Sequence, residues 1–190
     1  MPFLPNLPRA SHLSDLFKKF PRGLSPLLEY HDAILRSDGE LTKAERELIA
    51  TYTSSLNACT FCYGAHKIYA EAFGIDKAMI HAMVTDLDSV QGLDKLKPIL
   101  RYVKKMNFLP SKIVQADAQA VFDAGWTEEA LYEAIQVCAL FNMMNRIIEG
   151  AGVNFDYAAN VQAHSLNRQG ADVEAHTYGA YGKTITEKES

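Results

Sequence analysis

The sequence predicts an all-α protein. Its apolar residues recur three and four positions apart, and nowhere do apolar and polar residues alternate over the length of a strand. Glycine and proline fall between the periodic segments, where they end helices. With 190 residues, 48% of them hydrophobic, the chain is long enough for one well-buried core. We therefore predict a single compact multi-helix domain.

Capping residues and helix breakers define four helices in the first part of the chain. Two short helices are expected over residues 11–20, closed by Pro21, and over residues 25–36, with Ser25 as the cap. Thr42 and Glu45 form a capping box, which opens a third helix. A fourth helix begins near residue 57 or 58 and stops at Gly74.

The rest of the chain repeats these patterns. Asp76 begins one helix, residues 92–106 hold another with Pro98 in its first turn or at a kink, and Ser111 caps a helix that ends before Gly125. Thr127 opens the longest helix, which runs to about residue 149. Its stretch 134–148 is apolar around much of its circumference, so we expect a central buried helix or an oligomer contact.

The composition changes near the C-terminus. From about Leu166 onward, the chain is rich in Gly, Asn, Gln, Lys and Glu with isolated tyrosines. We predict a helical domain over residues 1–165 and an extended or mobile tail over residues 166–190. The alternative is that this tail docks on another subunit.

Charge and hydropathy limit the partners. A formal net charge of −4 with scattered basic residues gives no reason to expect nucleic acid or an anionic membrane surface. The chain shows neither a signal-peptide core nor an apolar run of membrane-spanning length. We expect a cytoplasmic protein with a small-molecule ligand, and in a reducing compartment a Cys-x-x-Cys pair is usually catalytic or metal-binding.

One short segment carries the chemistry. Cys59 and Cys62 form a Cys-x-x-Cys pair, His66 follows four residues after Cys62, and Glu47 lies twelve residues before Cys59. On a helix with about 100° per residue, the two thiols and the imidazole fall within roughly 60° of one another. They therefore share one helix face.

These residue types suit thiol redox chemistry. A free thiol with a pKa of about 8.5 is mostly protonated at neutral pH, so it needs a base, a positive charge or a helix N-terminus to form a thiolate. Cys59 is expected in the first helical turn, where the dipole stabilises an anion. His66 accepts a proton from Cys62, and Glu47 fixes the imidazole tautomer.

Two other interpretations of the pair stay open. Cys59, Cys62, His66 and Glu47 form an acceptable set of ligand types for zinc, although structural zinc pairs usually lie on turns. The cysteines could also be buried core residues, but that would not account for the spacing of the histidine and the glutamate. Haem attachment is excluded, because Tyr63 stands where the histidine of that motif is required.

The remaining candidate residues favour structural roles. Cys138 lies in an apolar stretch and is interpreted as a core residue. Four histidines without spaced partners are expected at the surface: His31, His81, His164 and His176. His12 near the first helix start suggests no function.

The motif resembles that of a known family. A glutamate, eleven residues, Cys-x-x-Cys, three residues and a histidine, set in a helical chain, is similar to the alkylhydroperoxidase D-like branch of the carboxymuconolactone decarboxylase superfamily. The segment from Gly125 to Val153 resembles the second half of the peroxidase-related subgroup of that branch.

The resemblance implies a peroxide-reducing thiol enzyme that assembles as a trimer or hexamer. It assigns Glu47 and His66 to a proton relay. Because no nucleotide or flavin motif is visible in the chain, we expect no cofactor, and no metal is assigned to the site. Better-studied members of the family also have a histidine between the two cysteines, where this chain has Phe61. Decarboxylase members lack the dithiol, which argues against lactone decarboxylation here.

The resulting hypothesis is a two-cysteine cycle with a small-molecule peroxide as substrate. Cys62 attacks the peroxide and Cys59 resolves the sulfenic acid to a disulfide, although the reverse order stays open. An external dithiol or thiol then reduces the disulfide. Aromatic residues near the motif suggest an apolar entrance suited to organic hydroperoxides: Tyr52, Phe61, Tyr63 and Tyr69. The alternatives are a general thiol-disulfide oxidoreductase and a zinc-binding structural module.

Overall fold

Helices form all the regular secondary structure of the described residues, which are residues 1–167 and 171–186 of a computed structural model. This confirms the all-α fold class. The α-helices are α1 (Leu13–Lys19), α2 (Leu24–Leu35), α3 (Lys43–Leu56), α4 (Thr60–Ala72), α5 (Lys77–Thr85), α6 (Lys97–Phe108), α7 (Gln115–Asp123), α8 (Glu128–Ala151) and α9 (Tyr178–Thr186). No helix among them combines the length and apolar character that crossing a membrane requires.

Three of the predicted helix caps are confirmed: Thr42, Asp76 and Thr127. Thr42 Oγ1 accepts a hydrogen bond from the Glu45 amide at 3.2 Å, while Glu45 Oε2 accepts from the Thr42 amide at 2.8 Å. Asp76 caps α5, and Thr127 caps α8. Each of these bonds satisfies amide groups that a helix start leaves without a partner.

The predicted starts of α2, α6 and α7 differ from the structure. Gly23, with φ at 79°, precedes α2 in place of Ser25, whose hydroxyl donates instead to Glu29. Pro98 does lie in the first turn of α6, but that helix starts at Lys97 rather than at Gly92. The predicted helix from Ser111 begins only at Gln115, after a 3₁₀ turn over Pro110–Lys112.

Helices α3 and α4 pack against each other as a hairpin that carries the Cys-x-x-Cys pair. The connecting turn contains Ala58 at φ 53°, and the Cys59 amide donates to the Ser54 carbonyl at 3.0 Å. Cys59 is therefore the N-cap of α4, one residue before the helix proper, and Cys62 lies in its first turn. The start is two to three residues later than the sequence predicts, because the left-handed turn is needed to reverse the chain.

Helix α8 is the central helix of the core. It packs against α2, α3, α4, α6 and α7. Cys138 on this helix has no exposed surface, and burial raises the pKa of its thiol to about 11. It is the inert core residue that the sequence predicts.

Helix α9 packs against α1 and α2 of the same chain. Asp32 on α2 accepts hydrogen bonds from the amides of Tyr178 and Gly179, at 2.7 and 2.8 Å, and so caps the start of α9. This part of the predicted tail is helical and docked within the protomer rather than extended. Residues 168–170 and 187–190 of the tail lie outside the described residues, and the domain boundary at residue 165 stays a prediction.

Candidate active site

The two cysteines at the start of α4 form a buried dithiol. Cys59 has no exposed surface and Cys62 is 3% exposed, and both thiols are free. The two residues approach to 3.2 Å. A disulfide holds its two sulfurs about 2.05 Å apart, and two cysteines this close in space can form one.

The thiols differ in their surroundings. The hydrogen bond to Cys62, followed by burial, raises the pKa of Cys59 far above that of a free thiol. Glu149 of α8 also reaches the Cys59 thiol and adds to this rise. The raised pKa thus belongs to Cys59, while Cys62 occupies the first turn of α4.

His66 and Glu47 are in direct contact. His66 Nδ1 lies 2.6 Å from Glu47 Oε2, and the glutamate is completely buried. An ionised carboxylate only accepts hydrogen bonds, so His66 Nδ1 carries a hydrogen and donates it. In the neutral imidazole, Nε2 is then the atom with the free electron pair. Glu45, two residues earlier on the same helix, is used in the capping box.

Arg36 supplies the charge that makes a buried carboxylate possible. Its Nη1 donates to Glu47 Oε1 at 2.5 Å, and the guanidinium carbon lies 5.0 to 5.4 Å from the ring centres of Tyr69, Phe73 and Tyr178. Burial alone would raise the pKa of Glu47, but the charges and hydrogen bonds of His66 and Arg36 outweigh it, so the pKa is lowered. Glu47 therefore stays ionised inside the protein.

Sequence reasoning missed Arg36. It ends α2, eleven residues before Glu47, and the turn between α2 and α3 folds it back onto the glutamate. No helical spacing links the two positions. A buried carboxylate needs a nearby cation, so an arginine or lysine partner for Glu47 could have been expected. Nothing in the neighbouring sequence distinguishes Arg36 from the other basic residues.

A cavity of about 550 Å³ adjoins this group. Cys62 and His66 line it, whereas Cys59 lies behind Cys62 and does not. The aromatic residues of its wall are Phe17, Phe61, Tyr69, Phe141, Tyr157, Tyr178 and Tyr181. Of the four aromatics expected at an apolar entrance, Phe61 and Tyr69 line the cavity, whereas Tyr52 packs in the main core and Tyr63 is not part of the wall.

Four further histidines line the cavity: His12, His31, His164 and His176. The expectation of a surface position is wrong for His31 and His164, which are 3% and 5% exposed, and right for His81. Burial lowers the pKa of His31 and of His164 to about 4, so both are neutral near pH 7. Sequence spacing missed them because they are brought to the cavity from α2 and from the segment after α8.

The metal interpretation finds no geometric support in the described part of the chain. No group of three or more His, Cys, Asp and Glu side chains there has an arrangement that could hold a metal ion. Glu47 in addition uses its two oxygens on Arg36 and His66.

Fold and site together define an all-α protein with a buried Cys-x-x-Cys dithiol, a histidine one turn further along the helix, and an ionised glutamate behind that histidine. The model of the carboxymuconolactone decarboxylase family matches residues 21–105, which include all of these groups. Over this part of the sequence the chain is similar to the carboxymuconolactone decarboxylase family.

Solved structures support the fold. An uncharacterized peroxidase-related protein from Ralstonia eutropha, described as an alkylhydroperoxidase AhpD core, superposes with a TM-score of 0.70 at 24% identity over 74% of each chain. An uncharacterized peroxidase-related protein from a Silicibacter species gives 0.69 at 21% identity, over 75% of this chain and 74% of that one. A protein of unknown function from Agrobacterium tumefaciens gives 0.63 at 17% identity, over 74% and 94%. No curated protein matches the sequence.

Proposed function

We propose that this protein is a thiol-dependent peroxidase that reduces organic hydroperoxides through a disulfide between Cys59 and Cys62. One observation carries the proposal: Cys62 faces a cavity, with a second cysteine within 3.2 Å and the buried set of His66, Glu47 and Arg36 beside it. A dithiol, a base and a fixed counter-charge are the parts that a two-cysteine peroxidase needs.

The cycle begins with the thiolate of Cys62. His66 Nε2 takes the Cys62 proton, directly or through a water, and Glu47 stabilises the imidazolium that results. The thiolate attacks the terminal peroxide oxygen, so that an S–O bond forms, the O–O bond breaks, and an alcohol leaves. Cys62 becomes a sulfenic acid.

Cys59 completes the oxidation. Its sulfur attacks the sulfur of Cys62, the hydroxyl group leaves as water with the Cys59 proton, and the disulfide forms. Glu149, which reaches the Cys59 thiol, is placed to pass that proton from the Cys59 sulfur to the departing hydroxyl group. An external dithiol or low-molecular-weight thiol returns two electrons and two protons to regenerate the dithiol.

Two features support an attack by Cys62 rather than by Cys59. Cys62 is the thiol in the cavity wall, and the raised pKa belongs to Cys59. Cys62 also shares the cavity with His66, one helical turn away. The thioredoxin-like alternative, with the N-terminal cysteine attacking first, would require a peroxide to reach a thiol with no exposed surface.

The cavity also supports the class of substrate. Its walls are largely aromatic, and burying apolar groups there favours a hydroperoxide with an organic substituent over hydrogen peroxide. The buried dithiol restricts access to small or slender molecules, which disfavours the alternative of a general oxidoreductase for protein disulfides. The peroxidase-related names of the two structural neighbours agree with this choice.

The proposed setting is antioxidant defence in the cytoplasm. We further propose that the chain forms a homo-oligomer, a trimer or hexamer, as its family resemblance implies. Its described surface includes large exposed apolar side chains such as Phe108, Leu109 and Val114 near the end of α6. Light scattering on the purified protein measures the number of chains directly.

The test is rapid mixing of the reduced protein with cumene hydroperoxide, followed by mass spectrometry. The wild type should form the Cys59 to Cys62 disulfide with one equivalent of peroxide. Cys62→Ser should react no faster than buffer thiols, whereas Cys59→Ser should accumulate a sulfenic acid on Cys62 that dimedone traps. Cys138→Ser serves as the control and should behave as wild type.

Two results would contradict the proposal. The first is a wild-type protein that forms no disulfide with any peroxide. The second is a protein that reduces small disulfides far faster than peroxides, which would make it a general thiol-disulfide oxidoreductase.

A further inference from the structure

Tyr157 lies beside α4, the helix that carries the dithiol, although its position in the sequence predicts no functional role. It is 7% exposed, it lines the cavity together with Cys62, and its ring packs 5.2 Å from the ring of Phe61. Its backbone approaches α4 closely at Gly64, where an added Cβ would lie 2.9 Å from the Tyr157 Cβ. The glycine after the Cys-x-x-Cys-Tyr run is thus what admits Tyr157 to the site.

His12 determines the direction of the Tyr157 hydroxyl. The Ser14 amide donates to His12 Nδ1 at 3.1 Å, and His12 Nε2 lies 2.7 Å from the Tyr157 hydroxyl. Burial lowers the pKa of His12, so the ring is neutral near pH 7. Because Nδ1 accepts from an amide, the ring hydrogen is on Nε2 and is donated to the Tyr157 oxygen.

The Tyr157 hydrogen is then available for another acceptor. His12 Nε2 is the one hydrogen-bond partner that the described residues provide for this hydroxyl, and it uses the oxygen as an acceptor. The pKa of Tyr157 is raised by burial, then by Tyr181 and then by the charge of Cys62, so Tyr157 and Cys62 lie within electrostatic reach of each other. A molecule bound at Cys62 would lie near a phenol hydroxyl that is available only as a hydrogen-bond donor.

We propose that Tyr157 is the proton donor to the leaving oxygen when Cys62 attacks a hydroperoxide, with His12 as its positioning residue. This inference rests on the peroxidase function proposed above. The thiolate forms the S–O bond to the terminal oxygen, the O–O bond breaks, and the departing alkoxide takes the hydrogen of Tyr157. The phenolate recovers a proton from the His66 imidazolium, which holds the one released by Cys62, through water in the cavity.

The chemistry of the leaving group explains why a donor matters. An alkoxide is far more basic than a phenolate, so proton transfer from Tyr157 to the alkoxide is favourable. This transfer lowers the barrier to O–O cleavage only when the leaving oxygen must be protonated. A peracid releases a carboxylate, which needs no proton at neutral pH. Tyr157 also packs beside Phe61, so it provides a polar group next to that apolar ring.

The experiment compares two substrates in Tyr157→Phe, which keeps the ring and removes the hydroxyl. We expect the rate constant for oxidation of Cys62 by cumene hydroperoxide to fall about 10- to 100-fold. Oxidation by peracetic acid should change less than about 3-fold, as should alkylation of Cys62 by iodoacetamide, because neither leaving group needs a proton. Tyr132→Phe, at an exposed position on α8, is the matched control.

A second variant tests the positioning residue. His12→Asn keeps a side chain that caps α1 well but removes the Nε2–H donated to Tyr157. We expect a smaller loss, about 3- to 10-fold, again confined to the alkyl hydroperoxide.

The outcomes separate this inference from the proposed function. Equal losses with both oxidants in Tyr157→Phe would show a purely structural role, and no loss with either would show that the hydroxyl is not used; both results overturn the inference. If the wild type itself forms no disulfide with cumene hydroperoxide, the peroxidase function fails first. If the wild type reacts with cumene hydroperoxide and Tyr157→Phe reacts at the same rate, only the role of Tyr157 is overturned.

Discussion

At the scale of the residue, Glu47 shows how charged partners allow a glutamate to be buried and ionised. A glutamate on a helix face is normally solvated, yet Glu47 has no exposed surface and divides its two oxygens between Arg36 and His66. Burial of an unpaired carboxylate would force it to take up a proton. The arginine keeps it ionised, so that it can hold the His66 ring with Nε2 free.

Glu47→Gln should therefore have two effects. Arg36 would be left as a buried cation without a counter-charge, so we expect a loss of about 3 kcal/mol in the free energy of unfolding. The imidazolium of His66 would also lose its stabilising charge, and alkylation of Cys62 by iodoacetamide at pH 7 should slow about 10-fold or more. Urea unfolding and alkylation kinetics measure the two effects.

Glu45→Gln is the matched control for this change. Gln preserves the capping box, and the position is two residues away on the same helix, so less than about 1 kcal/mol and an unchanged alkylation rate are expected. Alkylation of Glu47→Gln at the wild-type rate would remove Glu47 from the proposed relay.

At the scale of the element, α9 closes one side of the cavity. Tyr178 and Tyr181 on this helix line the wall, and Tyr178 lies against the rings of His31 and His66. The close approach of α9 to α2 depends on Gly182, where an added Cβ would lie 2.5 Å from Leu28 Cδ1. Leu28 is itself buried and has little room to move.

Gly182→Val should loosen α9 from α2. We expect overpacking to cost about 1 to 3 kcal/mol of unfolding free energy and the opened cavity to speed alkylation of Cys62. Gly150→Ala in α8 is the control, because no atom lies within 4 Å of its added Cβ, and it should be neutral or slightly stabilising. Slower alkylation in Gly182→Val, or no change in either quantity, would contradict the view of α9 as a cover.

At the scale of the whole molecule, the cavity brings together histidines from distant parts of the chain. Burial is the largest cause that lowers the pKa of each of these four: His12, His31, His164 and His176. The unfolded chain binds protons at these sites near pH 6.5, while the folded protein does not until the pH is lower. Stability from these groups is fully present above about pH 6.5 and is lost as the pH falls toward 4.

We predict that the free energy of unfolding falls steadily from pH 6.5 to pH 4. A single histidine whose pKa moves from 6.5 to about 4 accounts for roughly 3 kcal/mol over that range. His31→Leu should therefore flatten the dependence measured by urea unfolding at a series of pH values, while His81→Gln, at an exposed position, should leave it unchanged. The same slope in His31→Leu and wild type would show that His31 does not contribute.

The sequence by itself determined the features that depend on interactions between residues close together along the chain. Capping bonds at Thr42, Asp76 and Thr127 span two or three residues, so their residue types sufficed to predict the helix starts. Cys62 and His66 lie one helical turn apart, and helix geometry alone puts both on the cavity side of α4. The family motif then pointed from His66 back to Glu47.

Only the tertiary structure decided the rest of the site. Arg36 reaches Glu47 across a turn, and Tyr157, His12 and α9 arrive from segments far away in sequence. Their contacts depend on how whole helices pack, on close approaches such as that at Gly64, and on which buried charges must be paired. Those are long-range constraints with no period along the chain, so the dithiol could be predicted from the sequence, whereas the arginine and the phenol beside it could not.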